Sequence, residues 1–136
     1  MLHIALVDDD ARELERTGTL VERWQDAPSR FAAFSSARAL LAAMDAGADF
    51  DLYLLDVVMP EMDGIELGRA IRERDKDGAI IFLTTSPDFA LDSYEVWPLQ
   101  YLLKPVDAAR LALTRTPCAT LRAAWLRHYL KGGGEA

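Results

Sequence analysis

Short apolar runs alternate with longer stretches of helical periodicity along this chain, and the alternation repeats five times. Leu2–Val7, Arg30–Phe34, Leu52–Leu55, Ala79–Thr84 and Leu99–Leu103 are the short runs, each of a length suited to a strand. After the first, Leu14, Thr17/Gly18, Val21 and Trp24 fall three or four residues apart, which predicts a helix from about Ala11 to Gln25 capped by Asp10. Ser35 and Ser36 are placed to cap a second helix running to Ala46, with Gly47 ending it. Asp63 is placed to cap a third, which carries Ile65, Gly68 and Ile71 on one side and is expected to stop at Gly78. A shorter helix over Asp88–Val96 and a last one from Asp107 complete the pattern. The first, third and fourth strands are apolar on both faces, as central parallel strands are when helices cover both sides. Strands joined by helical crossovers in one sheet make a doubly wound α/β domain.

A chain of 136 residues suits one core, and its formal charge of -7 argues against a phosphate backbone as partner. No direct nucleic-acid binding is expected of it. The single cysteine, Cys118, has no partner for an intramolecular disulfide and no Cys/His cluster around it. No run is long enough to span a bilayer, and Asp8-Asp9-Asp10 cuts the apolar opening too short for a secretory signal. A cytoplasmic protein without membrane contact is the expectation.

In doubly wound sheets ligands bind at the carboxyl ends of the strands, so the polar residues there deserve the closest reading. The first strand ends in Asp8-Asp9, the third in Asp56, the fourth in Thr84 and the fifth near Lys104. Carboxylates gathered on one rim repel by roughly 4 kcal/mol per pair at contact in an intermediate dielectric. They either raise one another's pKa or recruit a cation. Magnesium suits the second outcome, being hard and oxygen-seeking and commonly held by one or two carboxylates with phosphate oxygens. A cation and a lysine ammonium together would also let an aspartate approach a phosphoryl group without prohibitive repulsion. Taken alone, Asp8-Asp9 reads rather as a solvated helix-capping pair, and Tyr101 reads also as a core aromatic.

These residues stand inside longer motifs. Val7-Asp8-Asp9 closes the first strand. Leu54-Leu55-Asp56-Val57-Val58-Met59-Pro60 is followed by Met62-Asp63-Gly64. Leu83-Thr84-Thr85 closes the fourth strand, and Tyr101-Leu102-Leu103-Lys104-Pro105 the fifth. In this order and at these separations, residues 1–115 resemble a CheY-like response regulator receiver domain. The resemblance implies a flavodoxin-like five-stranded parallel sheet in the order 2-1-3-4-5. It implies that Asp56 accepts a phosphoryl group from a sensor histidine kinase. Asp9, Asp56 and the backbone carbonyl of Val58 would ligate Mg2+, with Asp8 acting through water. Lys104 would pair with the phosphoryl group, Thr84 would move to bond it, and Tyr101 would turn inward as the switch aromatic. Gly64 would keep the backbone beside the site unobstructed. Such a domain is a switch rather than an enzyme. Two positions that tune the lifetime of the phosphorylated state are here Val58 and Ser86; neither orients an attacking water, so slow self-dephosphorylation is expected.

Ser93-Tyr94-Glu95-Val96 with Tyr101–Val106 is similar to receivers of the LytTR (AgrA/LytR-like) class, which usually precede a DNA-binding LytTR domain. No such domain is found in this chain, which reads either as a piece of a longer protein, regulating transcription through an output domain outside it, or as a free-standing receiver. The departure from the family pattern is Thr116-Pro117, which places a new helix start in residues 116–136. Leu121, Trp125 and Tyr129 would form its apolar stripe, and Gly132-Gly133-Gly134 would end the order. That stretch reads equally as a kinked last helix packed on its own sheet and as an added helix that meets a partner. Asp92 and Glu95 facing Arg110 or Arg115 of a second copy make a homodimer through the fourth helix, fifth strand and fifth helix a further expectation. Three other classes compete. One is a receiver-like interaction module working without phosphorylation, which the intact acidic set disfavours. Another is an aspartate-dependent phosphohydrolase, which would want an acid where Val58 stands. The last is a flavin mononucleotide binder, which would want Ser, Thr or Gly where the three aspartates stand.

Overall fold

The computed structural model describes residues 2–22, 29–85, 96 and 100–104. Its elements in order are β1 (Leu2–Val7), α1 (Ala11–Glu22), β2 (Ser29–Phe34), α2 (Ala37–Asp45), β3 (Leu52–Leu55), α3 (Gly64–Arg74), β4 (Ala79–Thr84) and β5 (Gln100–Leu103). The strands form one sheet in the order β2-β1-β3-β4-β5, and every neighbouring pair is parallel. The fourth and last helices expected from the sequence, and the boundary at residue 116, lie outside the described residues, except for Val96, which is buried.

Strand side chains alternate across the sheet and separate two cores. Ile4, Leu6, Leu52, Leu54, Ile81 and Leu83 point to one face, where Val21 of α1 joins them with Leu14 and Phe31 packed alongside. Ala5, Val7, Tyr53, Leu55, Ile80 and Phe82 point to the other, where Leu40 of α2 and Ile65, Leu67 and Ile71 of α3 cover them. The central strands β3 and β4 are buried along their whole length, which is why their sequences are apolar without alternation.

The helix starts follow their caps. The Asp10 carboxylate accepts from the Arg12 amide at 2.9 Å, and the Ser36 hydroxyl accepts from the Ala39 amide at 3.1 Å. Asp63 and Glu66 form a reciprocal capping box at the start of α3. Gly47, at φ 109, turns the chain after α2 in a conformation that favours glycine.

The end of α3 corrects the expectation from sequence. Asp75, not Gly78, stops the helix: its backbone is extended, and its carboxylate Oδ1 accepts from the amides of Asp77 and Gly78. Those two side-chain bonds offer the backbone an alternative to another helical turn. Gly78 matters for a different reason, since a Cβ there would lie 2.5 Å from the Tyr53 ring and the Asp75 carboxylate.

Candidate functional site: an acidic rim closed by a lysine

The register of the sheet assembles the site. Val7 of β1 is paired with Leu55 of β3, so the residues that follow, Asp8 and Asp56, leave the sheet side by side. The Asp56 amide donates to the Val7 carbonyl at 2.8 Å and fixes that relation. Thr84 of β4 is paired with Leu103 of β5, and the Lys104 amide donates to the Thr84 carbonyl at 2.6 Å. Lys104 therefore starts from the same rim, three strand positions from Asp8 with β3 and β4 between them.

Its side chain crosses back over that rim. Nζ lies 2.5 Å from Asp8 Oδ2 and 3.5 Å from Asp56 Oδ1, and all three side chains are buried. Oxygens from the carboxylates of Asp8, Asp9 and Asp56 lie within 4.8 Å of one another, with Asp9 exposed to solvent. Asp8 is engaged on both oxygens, since Oδ1 accepts from the Asp10 amide at 2.9 Å. Such a buried acidic cluster would be untenable without positive charge, and Lys104 supplies one cation for three acids.

That imbalance is visible in the acid–base behaviour. Burial, and next to it the charge of Asp8, push the Asp56 carboxyl up to about 6; Asp9 adds to the rise and Lys104 pulls against it. Burial works against the Lys104 ammonium, but the hydrogen bond it donates to Asp8 and the charges of Asp56 and Asp8 outweigh it and hold its pKa above the usual value. Asp56 at about 6 remains mostly ionised near neutral pH, and Lys104 remains a cation.

The donor set fits a small divalent cation. Three carboxylate oxygens converge at an open edge of the rim, all are hard ligands, and the residual negative charge is what such an ion would neutralise. Val58, the fourth member of the expected set, lies two residues beyond Asp56 with its side chain 52% exposed. Thr84 is fully buried at the end of β4. Tyr101 is paired with Phe82 at the backbone of β5, and its side chain falls outside the described residues, as do Ser86 and Pro105.

The loop from Asp56 to Asp63 is tightly constrained. The Gly64 amide donates to the Val57 carbonyl at 2.8 Å, and a Cβ at Gly64 would come within 2.2 Å of the Asp56 carbonyl oxygen. Only glycine allows so close an approach. Glu61 adopts φ 68 in the same loop, a strained conformation for a residue other than glycine. Its carboxylate lies 3.3 Å from Arg38 Nε at the surface.

Two arrangements that fasten the end of α3 near the amino-terminal end of β4, away from the acidic rim, were not legible in the sequence. The Tyr53 hydroxyl donates to the buried Asp75 carboxylate at 2.8 Å. Arg72 donates from Nε to the Val96 carbonyl and from Nη1 to the Gly78 carbonyl, each at 2.7 Å. Arg72 looks like any solvent-facing helical arginine in the sequence, and nothing nearby marks its acceptors, which are backbone carbonyls. A weaker signal existed for Asp75, as an Asp three residues before a Gly often folds back onto the backbone.

A family model described as the response regulator receiver domain matches residues 4–114. The chain is 34% identical over 112 residues to the transcriptional regulatory protein NatR of Bacillus subtilis, covering 82% of this chain and 47% of NatR. It is 30% identical to the sensory transduction protein LytT of Bacillus subtilis, covering 84% of this chain and 46% of LytT. The positive alginate biosynthesis regulatory protein of Pseudomonas aeruginosa is 32% identical, over 82% of this chain and 44% of its own length. This chain thus spans just under half the length of these three relatives. Among solved structures, the Vibrio cholerae chemotaxis protein CheY4 superposes with a TM-score of 0.74 at 28% identity, covering 86% of this chain and 98% of that one. The BeF3-activated DrrB receiver domain superposes with a TM-score of 0.71 at 25% identity, covering 86% and 95%.

Proposed function

The chain belongs to the response regulator receiver family of two-component systems, and on that premise we propose that Asp56 accepts a phosphoryl group from the phosphohistidine of a sensor histidine kinase. The observation that carries the proposal is the Lys104 ammonium shared between Asp8 and Asp56, with Asp9 beside them. A phosphoryl group arriving at Asp56 would find a cation already in place and a cluster of acids short of positive charge.

In the proposed reaction an ionised Asp56 oxygen forms a bond to phosphorus while the phosphorus–nitrogen bond to the kinase imidazole breaks. The imidazole leaves with the electron pair and takes up a proton. Asp8, Asp9, Asp56 and the backbone carbonyl of Val58 would hold Mg2+, with Asp8 acting through water. The bound ion supplies the charge that offsets the phosphoryl oxygens. Lys104 releases its bond to Asp56 and pairs with a phosphoryl oxygen, and the Thr84 hydroxyl donates to another. Tyr101 then turns inward, and the face made by the fourth helix, β5 and the fifth helix carries the output.

The finer class is proposed as well. The family is a signalling one, and one relative of this chain is named a transcriptional regulatory protein. We place it with receivers of the LytTR class, acting on transcription through a LytTR-type DNA-binding domain, in the cytoplasm where the kinase presents its phosphohistidine. No helix among the described residues is long and apolar enough to cross a membrane. The exposed Val58 side chain cannot orient a hydrolytic water, so the acyl phosphate should be long-lived.

Intact-protein mass after incubation with Mg2+ and acetyl phosphate tests the reading, with Asp56→Asn alongside. A single phosphoryl adduct that requires the metal and is missing in Asp56→Asn is expected. Absence of both the adduct and Mg2+ binding would move the chain to a phosphorylation-independent interaction module.

A further inference from the structure

We propose that the groove between α1 and the edge strand β2 seats this chain's own C-terminal segment, residues 117–131. The groove has a volume of about 220 Å³, and its apolar floor is formed by Leu14 and Gly18 of α1 with Phe31 and Ala33 of β2. Pockets for small molecules usually run to about 300–1,000 Å³ and enclose their ligand. This one is smaller and open, and so suits one or two side chains presented by a polypeptide.

The rim selects which polypeptide. Glu15 and Glu22 border the groove, both exposed, about two helical turns apart. Neither has an ion-pair partner among the described residues, although Glu13 on the same helix lies near Arg16. The occupant should therefore be basic and carry aromatic or aliphatic anchors at helical spacing. Residues 117–131 answer that description within a chain of net charge -7: they include Arg122, Arg127 and Lys131 and no acid, with Leu121, Trp125 and Tyr129 four residues apart.

Reach allows the docking within one chain. β5 and β2 are the two edges of the sheet, four strand spacings or about 19 Å apart. The 12 residues 105–116 separate Lys104 from the segment. With a last helix from Asp107 after two extended residues they span about 22 Å, still more than that separation. A tethered segment also meets its groove at an effective concentration near the millimolar range, which favours its own groove over that of a second copy at ordinary protein concentrations.

The sole cysteine, Cys118, offers a direct test. A nitroxide attached there to the full chain should remove most of the amide signal of Thr19 and Ala33 in a nitrogen-15 correlation spectrum. Signals from Gln100 to Leu103 of β5, at the far edge of the sheet, should persist and report an intact fold. Mixing nitroxide-bearing chains of natural isotope content with unlabelled-cysteine nitrogen-15 chains should abolish the loss. The charge reversal Glu15→Lys with Glu22→Lys should restore the Thr19 and Ala33 signals in the nitroxide-bearing chain. Attachment at Thr120→Cys in a Cys118→Ser background gives a second probe position. Undiminished Thr19 and Ala33 signals from both positions would overturn the proposal. Loss that survives mixing would overturn it in favour of a second copy. No phosphoryl donor is involved, so failure here leaves the receiver reading untouched.

Discussion

Asp56 carries the plainest energetic signature at the residue scale. Its folded-state pKa of about 6 stands above the usual 3.8, so the folded form binds its proton more tightly than the unfolded chain does. The stability this contributes is fully present below about pH 3.8 and is lost as pH rises through about 6. At neutral pH the parent therefore folds against an ionised, crowded carboxylate. Asp56→Asn should be the more stable protein in metal-free buffer, by on the order of 1 kcal/mol once solvent screening is discounted. Urea unfolding of both proteins from pH 4.5 to 7.5 checks this: the gap should widen with pH, and parallel curves would contradict it. Gly64 makes the opposite case, because a Cβ there meets the Asp56 carbonyl oxygen at 2.2 Å, which is backbone and cannot swing aside. Gly64→Ala should cost about 1–3 kcal/mol by the same measurement. The glycine was legible from the motif it ends; the magnitude of the clash needed the loop's path.

At the scale of elements, α3 is fastened at both ends by different kinds of bond. Its start is local: Asp63 and Glu66 are three residues apart and satisfy each other's backbone amides. Asp63→Ala should lower stability by about 1 kcal/mol in a thermal or urea melt. Its end is tertiary: Arg72 reaches carbonyls at Gly78 and Val96, six and 24 residues away. Arg72→Ala should cost about 2 kcal/mol and speed amide exchange around Gly78, because charge-assisted bonds to buried carbonyls are lost. If Arg72→Ala costs no more than an exposed arginine would, the clasp contributes nothing. Capping was readable because it depends on residues a turn apart, whereas the arginine clasp depends on where the chain returns after β4. The same distinction explains the misplaced end of α3, which Asp75 sets by bonding forward to Asp77 and Gly78.

For the whole molecule, a cation that binds only the folded rim should raise global stability by mass action. At 100 times its Kd, Mg2+ is expected to add about 2.7 kcal/mol, read as a rise in Tm that Asp9→Ala removes. A rise of equal size in Asp9→Ala would place the ion elsewhere. The linkage is global because Asp56 lies far in sequence from Asp8 and Asp9 and shares a rim with them only in the folded sheet.

The sequence by itself determined the class of fold, the three continuous apolar strands at the centre of the sheet, the caps of the helices and the identity of the acidic residues. Each of these rests on periodicity or on motifs a few residues long, and short-range sterics and burial write such features directly into the chain. Tertiary structure alone decided that Lys104 lies across both Asp8 and Asp56, that Asp56 is held near 6, and that an acid-rimmed groove opens beside β2. Those depend on the pairing of Val7 with Leu55 and of Thr84 with Leu103. Register brings residues from distant parts of the chain within hydrogen-bonding distance, and no local pattern encodes the distance between them.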